Sequence, residues 1–123
     1  MRHVAGVVVQ QDDKILIVSA RKNPEKWVFP KGGIETDETP QTAAIRELWE
    51  EAGITCDIVK PLMEIQMLGK RVKSYGHWYS AKVDTVYDVW PEQGERNRQW
   101  VTPLQAESLL KPAFIPILQQ YLQ

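Results

Sequence analysis

Residues 32 to 54 read GGIETDETPQTAAIRELWEEAGI, and the spacing inside this stretch decides how the chain is read. Gly32 is followed after five residues by Glu38, and after seven more by Arg46-Glu47-Leu48; Glu50-Glu51 and Gly53-Ile54 complete the pattern. Thr39 suits an N-cap, Pro40 the first helical position and Gly53 the left-handed residue past the end. A helix of roughly three to four turns is predicted between them. At ~100° per residue, Ile45, Leu48, Trp49 and Ala52 gather on one side, expected to face the core. Glu47, Glu50 and Glu51 gather opposite, three and four residues apart, where like charges repel and destabilise a bare helix.

A positive partner is therefore expected among these glutamates. Clustered hard oxygen ligands suit Mg²⁺, or Mn²⁺, which favour carboxylates, water and phosphate oxygens. A solvated acidic face is the commoner fate of such a cluster, and the upstream glycines with Glu38 argue against it. Trp27-Val28-Phe29-Pro30 reads as a short strand running into Lys31-Gly32-Gly33, where two glycines allow a tight turn or a close backbone approach.

The whole pattern resembles the signature of Nudix hydrolases, which use divalent metal ions to cleave a diphosphate linked to another group. The resemblance implies an α/β fold, the Nudix fold, with a mixed β-sheet sandwiched between helices over essentially the whole chain. It also implies metal ligation by Glu47, Glu51 and the backbone carbonyl of Lys31. Glu50 is then the base that activates water, and Arg46 holds the glutamates in place.

The rest of the chain sets bounds. At 123 residues it is expected to be one domain, 1–123. An apolar fraction of 43% and a charged fraction of 25% are ordinary for a globular protein. No run approaches the ~20 apolar residues of a membrane span, and no secretory pattern opens the chain. Cys56 stands alone, which excludes an intramolecular disulfide. A cytoplasmic setting, with a nuclear pool for so small a protein, is expected. The net charge of −1 gives no sign of a nucleic-acid or membrane partner.

Residues 4–9 and 15–18 read as buried strands joined by a turn at 11–14, with a second turn at Asn23-Pro24. Strands are expected at 54–59, 62–68 and 75–83, with a connecting hairpin at 69–74 and a last short strand at 100–101. Helices are expected from 102–103 to about 110 and from about 112 to 121. Strands and helices interleave without repeats, which indicates an α/β/α arrangement.

Ser19-Ala20-Arg21, Asn23 to Trp27, Trp90-Pro91-Glu92, Glu95 to Trp100 and Lys111-Pro112 are similar to segments of diphosphoinositol polyphosphate phosphohydrolases. Those enzymes act on diphosphoinositol phosphates and long diadenosine polyphosphates. The resemblance implies a polyphosphorylated small molecule as substrate, its phosphates contacted by Ser19, Ala20, Arg21, Lys70, Arg71, Arg96 and Lys111. Guanidinium groups suit phosphate because they donate paired hydrogen bonds in a fixed fork. Two departures stand out. Lys31 occupies a position that is often glycine, and only Arg2 and His3 stand where the family carries a basic extension. Trp49 is expected in the core, while Trp27, Trp78, Trp90 and Trp100 are candidates either for core packing or for stacking a nucleobase. The alternatives are a hydrolase directed at diadenosine tetraphosphate or a nucleoside triphosphate, and a non-catalytic sensor of phosphate ligands. The sensor is disfavoured because such proteins lose glutamates that are all present here.

Overall fold

The apolar run at 4–9 forms the centre of strand β1, Arg2–Gln11, and every residue of that run is buried. A strand buried at successive positions is covered on both faces, so helices must lie on both sides of its sheet. The computed structural model describes residues 1–69 and 72–123; Lys70 and Arg71 lie outside the described residues.

In chain order, β1 is followed by β2 (Lys14–Ala20), β3 (Asn23–Val28), β4 (Lys31–Gly33), helix α1 (Pro40–Ala52), β5 (Ile54–Leu68) and β6 (Lys73–Val86). Then come β7 (Arg98–Val101), α2 (Pro103–Leu109), a 3₁₀ turn at Pro112–Phe114 and α3 (Ile115–Tyr121). Among the described residues seven strands form one mixed sheet along the path β3-β2-β1-β6-β5, with β4 paired to β1 and β7 to β2. The β1–β6 pairing is parallel, from Arg2 opposite Ser74 to Gln10 opposite Lys82. The others are antiparallel. This is the mixed sheet between helices that the resemblance implied.

The structure moves several expected boundaries. The strands expected at 54–59 and 62–68 are one strand, β5, whose register against β6 shifts at Thr55/Cys56, Cys56/Val59 and Pro61/Met63. Pro61 is accommodated in β5 at the end of the sheet path, beside the register shift at Pro61/Met63. The turn at Asn23-Pro24 belongs to β3, whose start is tied by the Glu25 N–H donating to Asn23 Oδ1 at 3.2 Å. The last expected helix is a 3₁₀ turn followed by a short α-helix.

Helix α1 is capped as its sequence predicts. The Thr39 hydroxyl accepts the Thr42 N–H at 3.1 Å, and Gly53 adopts φ 65° at the C-cap. Its core side differs in part: Ala43, Ala44, Leu48 and Ala52 are buried and Ile45 packs against them. Trp49, expected in the core, is half-buried at the edge, with its ring 5.2 Å from Tyr87 in an edge-to-face pair. Trp78 is the core tryptophan instead, 1% exposed and edge-on to Phe29 and Phe114 at 6.0 and 5.9 Å. A nucleobase cannot reach it.

Gly6 makes room for that indole. A Cβ at Gly6 would lie 2.5 Å from Trp78 Cζ3 and 2.7 Å from the Pro30 carbonyl oxygen, neither of which can retreat from the core. Gly6→Ala is expected to destabilise the protein by about 1–3 kcal/mol, as overpacking does, measured as a fall in the urea unfolding midpoint at unchanged m-value.

Candidate active site

Arg46 holds together the carboxylates that would otherwise repel one another. Its Nε and Nη2 bracket the Glu38 carboxylate at 2.8 and 3.0 Å. Its Nη1 donates to Glu47 Oε1 at 2.8 Å and to Glu50 Oε1 at 3.0 Å, and Nη2 also donates to the Gly33 carbonyl at 2.9 Å. The fork holds the Glu38 carboxyl below the usual carboxylate range. β4 is bound into the same assembly, since Gly32 passes so close to Glu47 that a Cβ there would collide with the carboxylate.

Glu51 departs from the solvated position its helical phase suggests, being only 2% exposed. The segment leading from β6 to β7 lies across the C-terminal end of α1 and covers it. A helix leaves its last four carbonyls without intrahelical partners, and here each receives a donor. Trp49 O accepts the Gly53 N–H at 2.9 Å, and Glu50 O accepts the Glu92 N–H at 3.0 Å. Glu51 O accepts Trp90 Nε1 at 3.1 Å, and Ala52 O accepts Arg98 Nη1 at 2.6 Å. The Arg98 guanidinium also lies 4.0 Å over the Trp90 ring, a favourable cation–π arrangement. Trp90, Glu92 and Arg98 thus act as the cap of α1, and Trp90 is not free to stack a base.

Burial pushes the Glu51 carboxyl up to about 9, and the neighbouring Glu47 carboxylate adds to the rise. Arg96 works the other way from 3.8 Å. Arg96 is itself fixed, with Nε on Glu92 Oε1 at 2.8 Å and Nη1 on the Ser19 carbonyl at 3.0 Å. Ser19 is fully buried and its hydroxyl accepts the Asn97 N–H at 2.8 Å. The Ser19 hydroxyl thus faces into the protein and steadies the segment that carries Arg96.

These elements enclose a cleft of two lobes, each about 580 Å³, which share Arg2, Arg21, Lys31, Glu51 and Arg96. One lobe contains Arg46 with Glu35, Glu47, Glu50 and Glu92. The other contains Ala20 and Lys111 opposite an apolar wall that includes Phe29, Met67, Leu68 and Phe114. Ala20, Arg21, Lys31, Arg96 and Lys111 therefore converge with the glutamates, although they come from separate segments. The Lys31 ammonium is depressed below its ordinary value chiefly by burial. Arg21 is held by Glu95 at 2.7 Å. Three features escape the sequence reasoning: Glu92 as a further carboxylate at the acidic lobe, the capping roles of Trp90 and Arg98, and the apolar wall. Only the similarity of residues 90–92 and 95–100 hinted at the first two, without a role.

Among the described residues no three His, Cys, Asp or Glu side chains are already arranged to enclose a metal ion; Glu47 and Glu50 are turned to Arg46 instead. The donor chemistry nonetheless fits Mg²⁺, which keeps several waters and needs one or two carboxylates beside substrate phosphates. A carboxyl kept protonated by burial next to a second carboxylate is a place where a divalent cation would displace the proton.

A family model described as NUDIX domain matches residues 1–121, and the chain belongs to the Nudix family. Nudix hydrolase 21, chloroplastic, of Arabidopsis thaliana is 35% identical over 83% of this chain and 52% of its own length. Human diphosphoinositol polyphosphate phosphohydrolase 2 is 29% identical over 93% of this chain and 63% of its own. The chain thus spans between half and two thirds of the length of these relatives. The crystal structure of a MutT NUDIX hydrolase from Burkholderia pseudomallei has the same fold, with a TM-score of 0.83 at 22% identity over 97% of this chain and 96% of that one. Among the described residues no helix is long and apolar enough to cross a membrane.

The buried Glu51 gives the metal-free protein a definite pH dependence. Its folded value, about 9, lies above the ordinary 4.5, so the folded state binds the extra proton. The associated stability is fully present below 4.5 and is lost as pH rises toward 9. Glu51→Gln is therefore expected to raise the melting temperature of the metal-free protein at about pH 8, with the gain fading as pH falls toward about 4.5. A thermal-melt series in a chelating buffer measures it; an equal difference at every pH would contradict the buried-proton account.

Proposed function

We propose that this protein hydrolyses phosphoanhydride bonds in highly phosphorylated small molecules, with diphosphoinositol polyphosphates and long diadenosine polyphosphates as the substrate class, in a reaction dependent on Mg²⁺ or Mn²⁺. The observation that carries this reading is the wall shared by the two lobes, where Glu51 stands among Arg2, Arg21, Lys31 and Arg96. This supports an anionic substrate held beside carboxylates that would bind the metal.

Glu47, Glu51 and the Lys31 carbonyl would hold the metal, which would supply charge neutralisation at the phosphoryl oxygens and make the attacking water more acidic. Glu50 accepts the proton of that water. Arg46 keeps Glu47 and Glu50 oriented through its bonds at 2.8 and 3.0 Å. Arg21, Arg96, Lys111 and the Lys31 ammonium bind phosphates, together with Lys70 and Arg71; Ala20 forms part of the wall and Ser19 positions Arg96.

A second reading, hydrolysis of diadenosine tetraphosphate or a nucleoside triphosphate, is favoured by the apolar wall of Phe29, Met67, Leu68 and Phe114. A fully phosphorylated ring gains nothing from such side chains, whereas a base buries its faces there. The identity with the human diphosphoinositol polyphosphate phosphohydrolase favours the first reading. Neither reading rests on tryptophan stacking.

Mg²⁺-dependent kcat/KM on a diphosphoinositol phosphate, diadenosine hexaphosphate and diadenosine tetraphosphate, compared side by side, separates the two. The first reading expects preference for the first two substrates; turnover of the tetraphosphate alone transfers the assignment to the second. Glu50→Gln is expected to lower kcat by about 10²–10⁴-fold, the usual range for a positioned base. Glu51→Gln should abolish turnover while largely retaining binding of an anionic ligand. Retained turnover in Glu51→Gln removes that residue from the machinery.

A further inference from the structure

Two arginines of the cleft, Arg96 and Arg21, are neutralised in different ways. Arg96 and Glu92 form an interior pair, their side chains only 13% and 18% exposed, joined at 2.8 Å. Glu92 is further fixed through its N–H on the Glu50 carbonyl at 3.0 Å. That pair is part of the framework. Arg21 and Glu95 meet at 2.7 Å, but their side chains are 59% and 46% exposed. Arg21 makes no ion pair other than that with Glu95 among the described residues. Arg21 nevertheless lies on the wall shared by both lobes.

A guanidinium accepts a carboxylate or a phosphate with the same fork of donors. An exposed ion pair is weak because water and salt screen it and two flexible side chains must be ordered to make it. Glu95 is carried on a turn closed by its own N–H and that of Arg96, both donating to the Glu92 carbonyl at 2.9 and 3.0 Å. Its backbone position is therefore set independently of its pairing with Arg21. We infer that Glu95 is an internal stand-in for a substrate phosphate on Arg21, a specificity-determining residue that sets how strongly the cleft competes for polyanions. A ligand phosphate that engages Arg21 must displace the Glu95 carboxylate and then lie close to its negative charge.

This inference rests on the proposed contact of Arg21 with substrate phosphates, and a double-mutant cycle tests the two separately. Binding of inorganic tripolyphosphate to the wild type, Glu95→Gln, Arg21→Ala and the double variant is measured by calorimetry in metal-free, low-salt buffer. Glu95→Gln is expected to bind about two- to fivefold more tightly, in keeping with the strength of exposed pairs, and the gain should shrink as salt is added. Arg21→Ala should bind about tenfold more weakly, as loss of a charged hydrogen-bond donor does. The double variant should match Arg21→Ala, because Glu95 acts through Arg21. An unchanged or weaker affinity in Glu95→Gln, with Arg21→Ala impaired, overturns the inference alone. A gain that persists in the double variant also overturns it, since the effect would then be general charge. If Arg21→Ala binds like the wild type, or no protein binds, the phosphate role of Arg21 fails and the inference with it.

Discussion

Five hydrogen bonds converge on the Arg46 guanidinium, from Glu38, Glu47, Glu50 and the Gly33 carbonyl. Those to Glu38 and Gly33 tie other parts of the chain to α1, while those to Glu47 and Glu50 lie within the helix. Gly33 belongs to β4, which is paired to the central strand β1, and Glu38 closes the loop between β4 and the helix by accepting the Glu35 N–H at 3.0 Å. A helix with three neighbouring glutamates is poorly stable alone. The arginine fork offsets the repulsion between Glu47 and Glu50, while Glu51 is buried on its own account. A lysine could not do the same, because its ammonium lacks the planar set of five donors.

The opposite problem arises at the end of α1, where four carbonyls need donors in a buried setting. Trp90, Glu92 and Arg98 meet three of them, and the backbone of Gly53 meets the fourth. The same covering segment buries Glu51 and delivers Arg96 beside it. Ser19 joins this segment to β2 through both its hydroxyl and its backbone. Helix capping and carboxylate burial are thus one structural event. The elevated Glu51 pKa follows from the way α1 is terminated, as much as from the presence of three glutamates.

Much of this was legible in the residues. The caps Thr39 and Gly53 and the buried strands around 4–9 and 15–18 follow from local rules. Where the reading departed from the structure, long-range packing was responsible. Trp49 and Trp78 are both large and apolar, and nothing local distinguishes them; Gly6, far along the chain on β1, makes the space that only Trp78 fills. The strands expected on either side of Pro61 are one, because β5 at the end of the sheet path absorbs the proline with a register shift at Pro61/Met63. Ser19 is buried through a bond to Asn97, seventy-eight residues away.

The sequence by itself determined the spacing of Glu47, Glu50 and Glu51 on one helix, the cap residues that bound that helix, and the family to which the pattern belongs. These are properties of helical period and backbone preference, which neighbouring residues decide. Tertiary structure alone decided which carboxylate is buried, which arginine is framework and which is exposed, and that an apolar wall faces the cations. Burial and charge pairing depend on atoms brought together from β1, β2, β5 and the segment before β7, and no local pattern records how closely they meet.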